Sequence, residues 1–295
     1  MQQSIPRRTR AVFVPPLRSA LLLIIVASGA SLTTATHAQT QTTPSQTQTT
    51  APQTKTTASQ TQTTSTQART PMQTVSDFYK ALRERRFREA FALSIYKPAI
   101  EGLSAEEYAE LQPEFEKLAG AVPEKIEFGG EQISGDTATV FARVGGENAQ
   151  LEAITLMRNA SGAWIFGDAE NEAIVKRDGK EFFLKARIET HHREVEALLL
   201  KLANAEAGYQ VQNGGQYGDM AALLASKPAL REDVESARTL GYNFQITVGK
   251  DGKSYKVSAE PLRYGRTGLL SYYMDQTGMQ KKDTGGKPFS PPTKK

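Results

Sequence analysis

The densest run of metal-capable side chains in the sequence is His191-His192-Arg193-Glu194-Val195-Glu196. On a helix, His192 and Glu196 stand four apart and share a face, while His191 points about 100° away. Two ligands fall short of a closed zinc site, and no HExxH pair is present. A solvated helix face is the simpler reading, and no metal is expected. Asp168, Glu170 and Glu172 group oxygen ligands without the glycine and spacing of an EF-hand loop, so they read as the polar start of a connecting segment. Asn159-Ala160-Ser161 fits the N-glycosylation pattern, but before Gly162 it reads as a hairpin turn. The run YGRTGLLSYYMDQTG (264–278) lacks the GK[ST] ending of a phosphate loop and does not open a helix. It is expected to hold a turn framed by Gly265 and Gly268, a half-buried strand Leu269–Met274, and a turn over Asp275-Gln276-Thr277-Gly278. No cofactor motif stands out, and none is expected.

The chain has 295 residues and a formal charge of +4, from 36 basic and 32 acidic residues. Four of the arginines, Arg7, Arg8, Arg10 and Arg18, precede the apolar run ALLLIIVA and the small-residue site Thr36-His37-Ala38. Residues 1–38 therefore read as a secretory signal, whose apolar run is under half of the ~20 residues a spanning helix needs. A membrane association is expected only if that leader is retained, and its match to a twin-arginine signal is poor. Without it the charges balance at 32 each, so no basic excess remains for nucleic-acid binding. Cysteine is absent, which excludes disulfides, thiolate nucleophiles and a lipidated cysteine. Residues 39–70 are nearly all Gln, Thr, Ser, Pro and Ala and bury too little to offset chain entropy; they read as a disordered, Thr/Gln-rich linker. A disordered tail is expected over 282–295.

Between these lie segments with clear periods. Val75, Phe78, Tyr79 and Leu82 recur at helical spacing, as do Phe87, Ala90, Phe91 and Leu93. Ser104 with Glu107 forms a capping box ahead of Tyr108, Leu111, Phe115 and Leu118. After Pro123, strands are expected over Lys125–Phe128, Thr137–Val144, Leu151–Arg158 and Ala163–Phe166, divided by the turn signals GG, SGD, GGEN and NASG. A long helix then carries Phe183, Ile188, Val195, Leu198, Leu199 and Leu202 to a stop at Asn213-Gly214-Gly215. A short helix near Met220–Leu224 precedes strands Tyr242–Val248, Ser254–Glu260 and Leu269–Met274. Helices and antiparallel meanders in this order define an α+β layout.

Two resemblances attach to these segments. VSDFYKALRERRFREAFALSIYKPAI, FGGEQISGDTATVFARV and LEAITLMRNASGAWIFGD make residues 71–168 similar to the NTF2-like superfamily, especially its small exported DUF4878-type members. That implies a curved antiparallel sheet wrapped around a helix over a cone-shaped pocket, for which Phe78, Tyr79, Phe91, Tyr108, Phe141 and Trp164 are the candidate lining residues. Enzymatic relatives place an Asp or His in the cone; here the stretch has no histidine, and Asp77, Asp136 and Asp168 sit where capping and turns explain them. LANAEAGYQVQNGGQYGDMAAL with GYNFQITV and YGRTGLLSYYMDQTG makes 189–281 resemble the globular head of type IV pilins and pseudopilins, joined through a connector at 169–188. The prepilin leader and the apolar half-helix that builds a filament are both missing.

Residues 71–170 carry a net charge of −7 and residues 171–295 a net charge of +5, a contrast that could help two domains dock. Together these features predict a secreted, periplasmic or cell-surface binding or assembly module of a bacterial envelope, without enzymatic activity. Its expected partners are envelope proteins, pilus or secretion-system components among them, or a second copy of itself. The alternative is an envelope enzyme or apolar-ligand binder working in the cone.

Overall fold

The computed structural model describes residues 69–145 and 149–289; the expected leader, and the expected linker up to residue 68, lie outside them. The chain enters α1 (Pro71–Arg83) through a capping box in which Thr70 Oγ1 accepts from the Gln73 amide and the Gln73 side chain returns to the Thr70 amide. The last residue of the expected linker is therefore part of the fold. Helix α1 buries Val75, Phe78, Tyr79 and Leu82. It is followed by α2 (Phe87–Ala92), α3 (Lys97–Glu101) and α4 (Ala105–Ala121), the last opened by the Ser104–Glu107 capping box.

Four strands then form an antiparallel meander in the order β1-β2-β3-β4: Ile126–Ser134, Thr137–Val144, Leu151–Arg158 and Trp164–Phe166. Gly129-Gly130 does not end the first strand as the sequence suggests. It forms a bulge, with Gly130 at φ 134°, where the register shifts and the strand continues to Ser134. Val140, Ala142, Ile154 and Leu156 point inward from β2 and β3 onto α1, whose Phe78 stacks on Phe166 at 4.7 Å.

The acidic group at 168–172 is helical, not a linker start. Asp168 caps α5 (Ala169–Asp178) by accepting from the Asn171 amide. After a single 3-10 turn over Gly179–Glu181, α6 runs unbroken from Phe182 to Gln212, about 46 Å at 1.5 Å per residue. The expected boundary at 188/189 thus falls inside one helix. The beginning of α6 belongs to the first core through Phe182 and Phe183. Its later turns belong to the second, through Val195, Leu198, Leu199 and Leu202.

The second core is closed by α7 (Met220–Ser226), α8 (Leu230–Arg238) and a meander β5-β6-β7-β8: Tyr242–Val248, Tyr255–Pro261, Leu270–Asp275 and Gly278–Asp283. Tyr255, Val257, Ala259, Tyr272 and Met274 form its inner face. Burying a side chain such as Val257 or Met274 contributes roughly 1.5–3 kcal/mol. Strand β8 corrects the expectation that DQTG ends the sheet and that residue 282 begins a disordered tail. The turn is a hairpin, Asp283 still pairs with Leu270, and the buried Ser271 hydroxyl donates to the Lys287 carbonyl at 2.8 Å. The architecture is the α+β layout expected: helices with two small antiparallel sheets and a long helix between them.

Candidate functional site

Of the six aromatic residues expected to line a cone, Phe78, Tyr79, Phe91 and Trp164 are buried, and Tyr108 and Phe141 are half-buried. Phe78, Tyr79 and Trp164 are buried in the packed core. Tyr79 meets Phe166 edge-on at 6.2 Å, and the Arg158 guanidinium lies 4.2 Å from the Trp164 ring centre. Tyr108 is half-buried beneath Arg88 at 4.6 Å. Phe141 alternates with buried Val140 and Ala142 and so stands on the opposite face of the sheet, across from Ala153. Phe91 borders a cavity of about 30 Å³, shared with Leu111, Phe115, Phe183, Glu114 and Arg187. That space suits water, not an organic ligand.

The acid candidates lie elsewhere too. Asp77 pairs with Arg69 at 2.9 Å on the surface, Asp136 sits in the β2 entry turn, and Asp168 caps α5. Among the described residues, the buried polar side chains of the first unit besides its tyrosines and tryptophan are Thr74 and Ser94, both bonded to backbone carbonyls. Asn159 holds its own turn, its Oδ1 accepting from the Ser161 and Ala163 amides.

Charge gathers instead where the two units meet. Helix α4 presents Glu107, Glu110 and Glu114 at helical spacing toward the start of α6. Arg187, 4% exposed, donates to Glu110 Oε1 at 2.7 Å, to the Glu110 carbonyl at 3.2 Å and to the Arg266 carbonyl at 3.0 Å. Arg263 and Arg266, from the loop after β6, reach the same carboxylate at 2.6 and 3.7 Å. Lys180 pairs with Glu107 at 3.1 Å. The opposite charges of the two halves therefore meet within one chain. Burial raises the Glu110 pKa, but Arg187, Arg263 and Arg266 outweigh it and hold the carboxyl below its usual range. For Glu114, burial wins over Arg187 and the pKa rises; its Oε2 and the Arg187 Nε are both buried without a partner.

The histidines belong to this junction, not to a solvated face. His191 Nδ1 lies 2.9 Å from the Thr267 carbonyl, and His192 Nε2 accepts from the Leu269 amide at 3.0 Å. Glu196 is engaged by Lys281 at 2.7 Å. No group of three metal-capable side chains forms among the described residues. Sequence reading missed Arg187, although a signal was present: Phe183, Arg187, His191 and Val195 recur every four residues in a single stripe. Charged and titratable side chains inside an apolar stripe need partners, which predicts a polar contact at that point.

A second concavity, of about 340 Å³, lies between α6 and the β7–β8 turn. Leu200, Ala203 and Ala207 wall it on the helix side and Met279 on the turn side, over Tyr217 and Tyr255. Its size falls at the lower end of the range of small-molecule pockets. Leu200 is 63% exposed and Met279 41%, so apolar surface here faces solvent. Nearby, Glu206 is fully buried; its Oε2 accepts from the Gly218 amide at 3.0 Å and thereby holds the loop before α7.

No protein-family model, curated protein or solved structure matches this chain. No helix among the described residues is long and apolar enough to cross a membrane.

Proposed function

We propose that this chain is an exported, non-enzymatic binding and assembly module of the bacterial envelope that presents the α6/β7–β8 cleft to other proteins. The observation that carries this reading is the contrast between the two concavities. The cavity beside Phe91 in the first unit has only about 30 Å³ among aromatic side chains, while the cleft on the second has about 340 Å³ of space, its apolar Leu200, Ala203 and Met279 standing beside Gln210, Asp275, Gln276 and Thr277. In this reading the first unit is an NTF2-like domain serving as a base, the second a pilin-head-like domain without its filament stalk. The likeness of sequence patterns and the two four-stranded meanders support that assignment. The leader and the Thr/Gln-rich stretch support export and distance from the surface of origin.

Site-specific photo-crosslinking in the native cell tests it, with the reactive group placed at Leu200 or Met279 and, as a control, at Ile174. The expected outcome is a crosslink to an envelope protein from the two cleft positions and not from the control. Equal crosslinking from all three, or capture of cytoplasmic proteins only, overturns the reading.

A further inference from the structure

The segment Arg263–Leu270, which leads from β6 into the first residue of β7, is tied to α6 through its backbone by Arg187, His191 and His192. The Thr267 carbonyl can only accept, so His191 carries its proton on Nδ1. The Leu269 and Leu270 amides, 3.0 and 3.3 Å from His192 Nε2, can only donate, so that nitrogen must be bare. The same segment delivers Arg263 and Arg266 to Glu110 of the first unit. From this geometry we infer that His192 is an acid-sensitive catch on the contact between the two units. Its protonation turns the one acceptor of the Leu269 amide into a third donor, expels the segment 263–270 from α6, and withdraws both arginines from Glu110.

The surroundings set when the catch opens. His192 faces Glu189 and Glu196 on its own helix, Lys281 from β8 and the Tyr272 ring from β7 at 6.4 Å. Burial holds it below the ordinary histidine range; Glu196 counteracts this and Lys281 adds to it. His191 faces Arg187 on α6, Lys117 on α4 and the Thr267 carbonyl of the segment. Its protonation would keep the bond to Thr267 while placing a charge beside two cations. Both rings are thus neutral at pH 7, and the catch is closed. Glu110 is held below the usual carboxylate range by Arg187, Arg263 and Arg266.

Amide hydrogen exchange on the full chain tests this at Leu269 and Leu270, with Val140 and Ala142 of β2 as references. Protection factors, corrected for intrinsic exchange, would be compared at about pH 7.5 and about pH 4.5. The expected result is a loss at Leu269 and Leu270 about tenfold or more greater than any loss at the β2 amides. In His192→Gln, whose Oε1 can accept in place of Nε2 without titrating, protection at both residues should fall no more than at the β2 amides. Equal protection of the wild type at both pH values overturns the inference. So does an equal loss in wild type and His192→Gln, or a loss at Val140 and Ala142 in step with the segment.

Discussion

Arg187 on α6 and Glu110 on α4 form a 2.7 Å ion pair between the two folding units, with side chains 5% and 20% exposed. The pair lies where the first aromatic core ends, and the loop carrying Arg263 and Arg266 closes over it. One carboxylate thereby receives three arginines, two of which come from the other sheet's loop.

Truncating this hub should be costly. Arg187→Ala leaves Glu114 buried without its cation and strips Glu110 of its best-buried partner, a loss of about 3–5 kcal/mol. Trp164, the single tryptophan, reports on the first unit alone. In the wild type its fluorescence and far-ultraviolet circular dichroism should unfold together in urea. In Arg187→Ala the two transitions should move down and separate; coincident transitions at the wild-type midpoint would contradict the role given to the hub.

The histidines give global stability a sign with pH. Burial pushes His191 from 6.5 down to about 4, so below pH 6.5 the unfolded chain takes up protons that the native chain refuses. Stability is complete above about 6.5 and falls as the pH drops toward 4, by roughly 3 kcal/mol for this ring. Urea midpoints at pH 7 and about pH 4.5 should show the decline, and His191→Asn should flatten it. A wild-type midpoint that is the same at both pH values would count against a buried neutral ring.

Gly268, in the 264–278 run, packs directly on Tyr242. A Cβ there would fall on the tyrosine hydroxyl, which donates to the Leu270 carbonyl at 3.0 Å. Gly268→Ala should displace the ring, break that bond and cost about 1–3 kcal/mol. Thermal melting reads the loss; a melting temperature equal to wild type would show that the loop yields instead.

Arg158 covers the face of Trp164. Arg158→Ala should remove about 0.5–1 kcal/mol and expose the indole, shifting its emission to longer wavelength. An unshifted emission maximum would mean that the ring is shielded by other neighbours.

Much of the architecture was legible because it follows from local pattern. The Ser104–Glu107 capping box, the alternation in Thr137–Val144 and the stripe of Val195, Leu198, Leu199 and Leu202 each state their own structure. Strand β8 was not legible: Gly278–Asp283 is polar and exposed along its length, and only pairing with β7 makes it a strand. Helix α8 was also missed, since its apolar positions, Leu230, Val234 and Ala237, are few and surrounded by charge. Phe78, Tyr79, Phe91 and Trp164 are buried as their types suggest, while Tyr108 and Phe141 are half-buried; burial alone does not distinguish a filled core from a lined pocket.

By itself the sequence determined composition, periodicity and caps: an α+β chain without cysteine, with balanced charge after residue 38, and two blocks of opposite sign. These are sums and short-range patterns, which depend on the order of residues along the chain. What only the tertiary structure decided is which charges meet. Arg187 and Glu110 are 77 positions apart, and Arg263 and Glu110 are 153 apart. No local rule couples such distances; the rigid α6 and the turn after β6 bring them together. The same packing places a histidine pair that resembled a solvated face, His191 buried and His192 half-buried, against the segment 263–270.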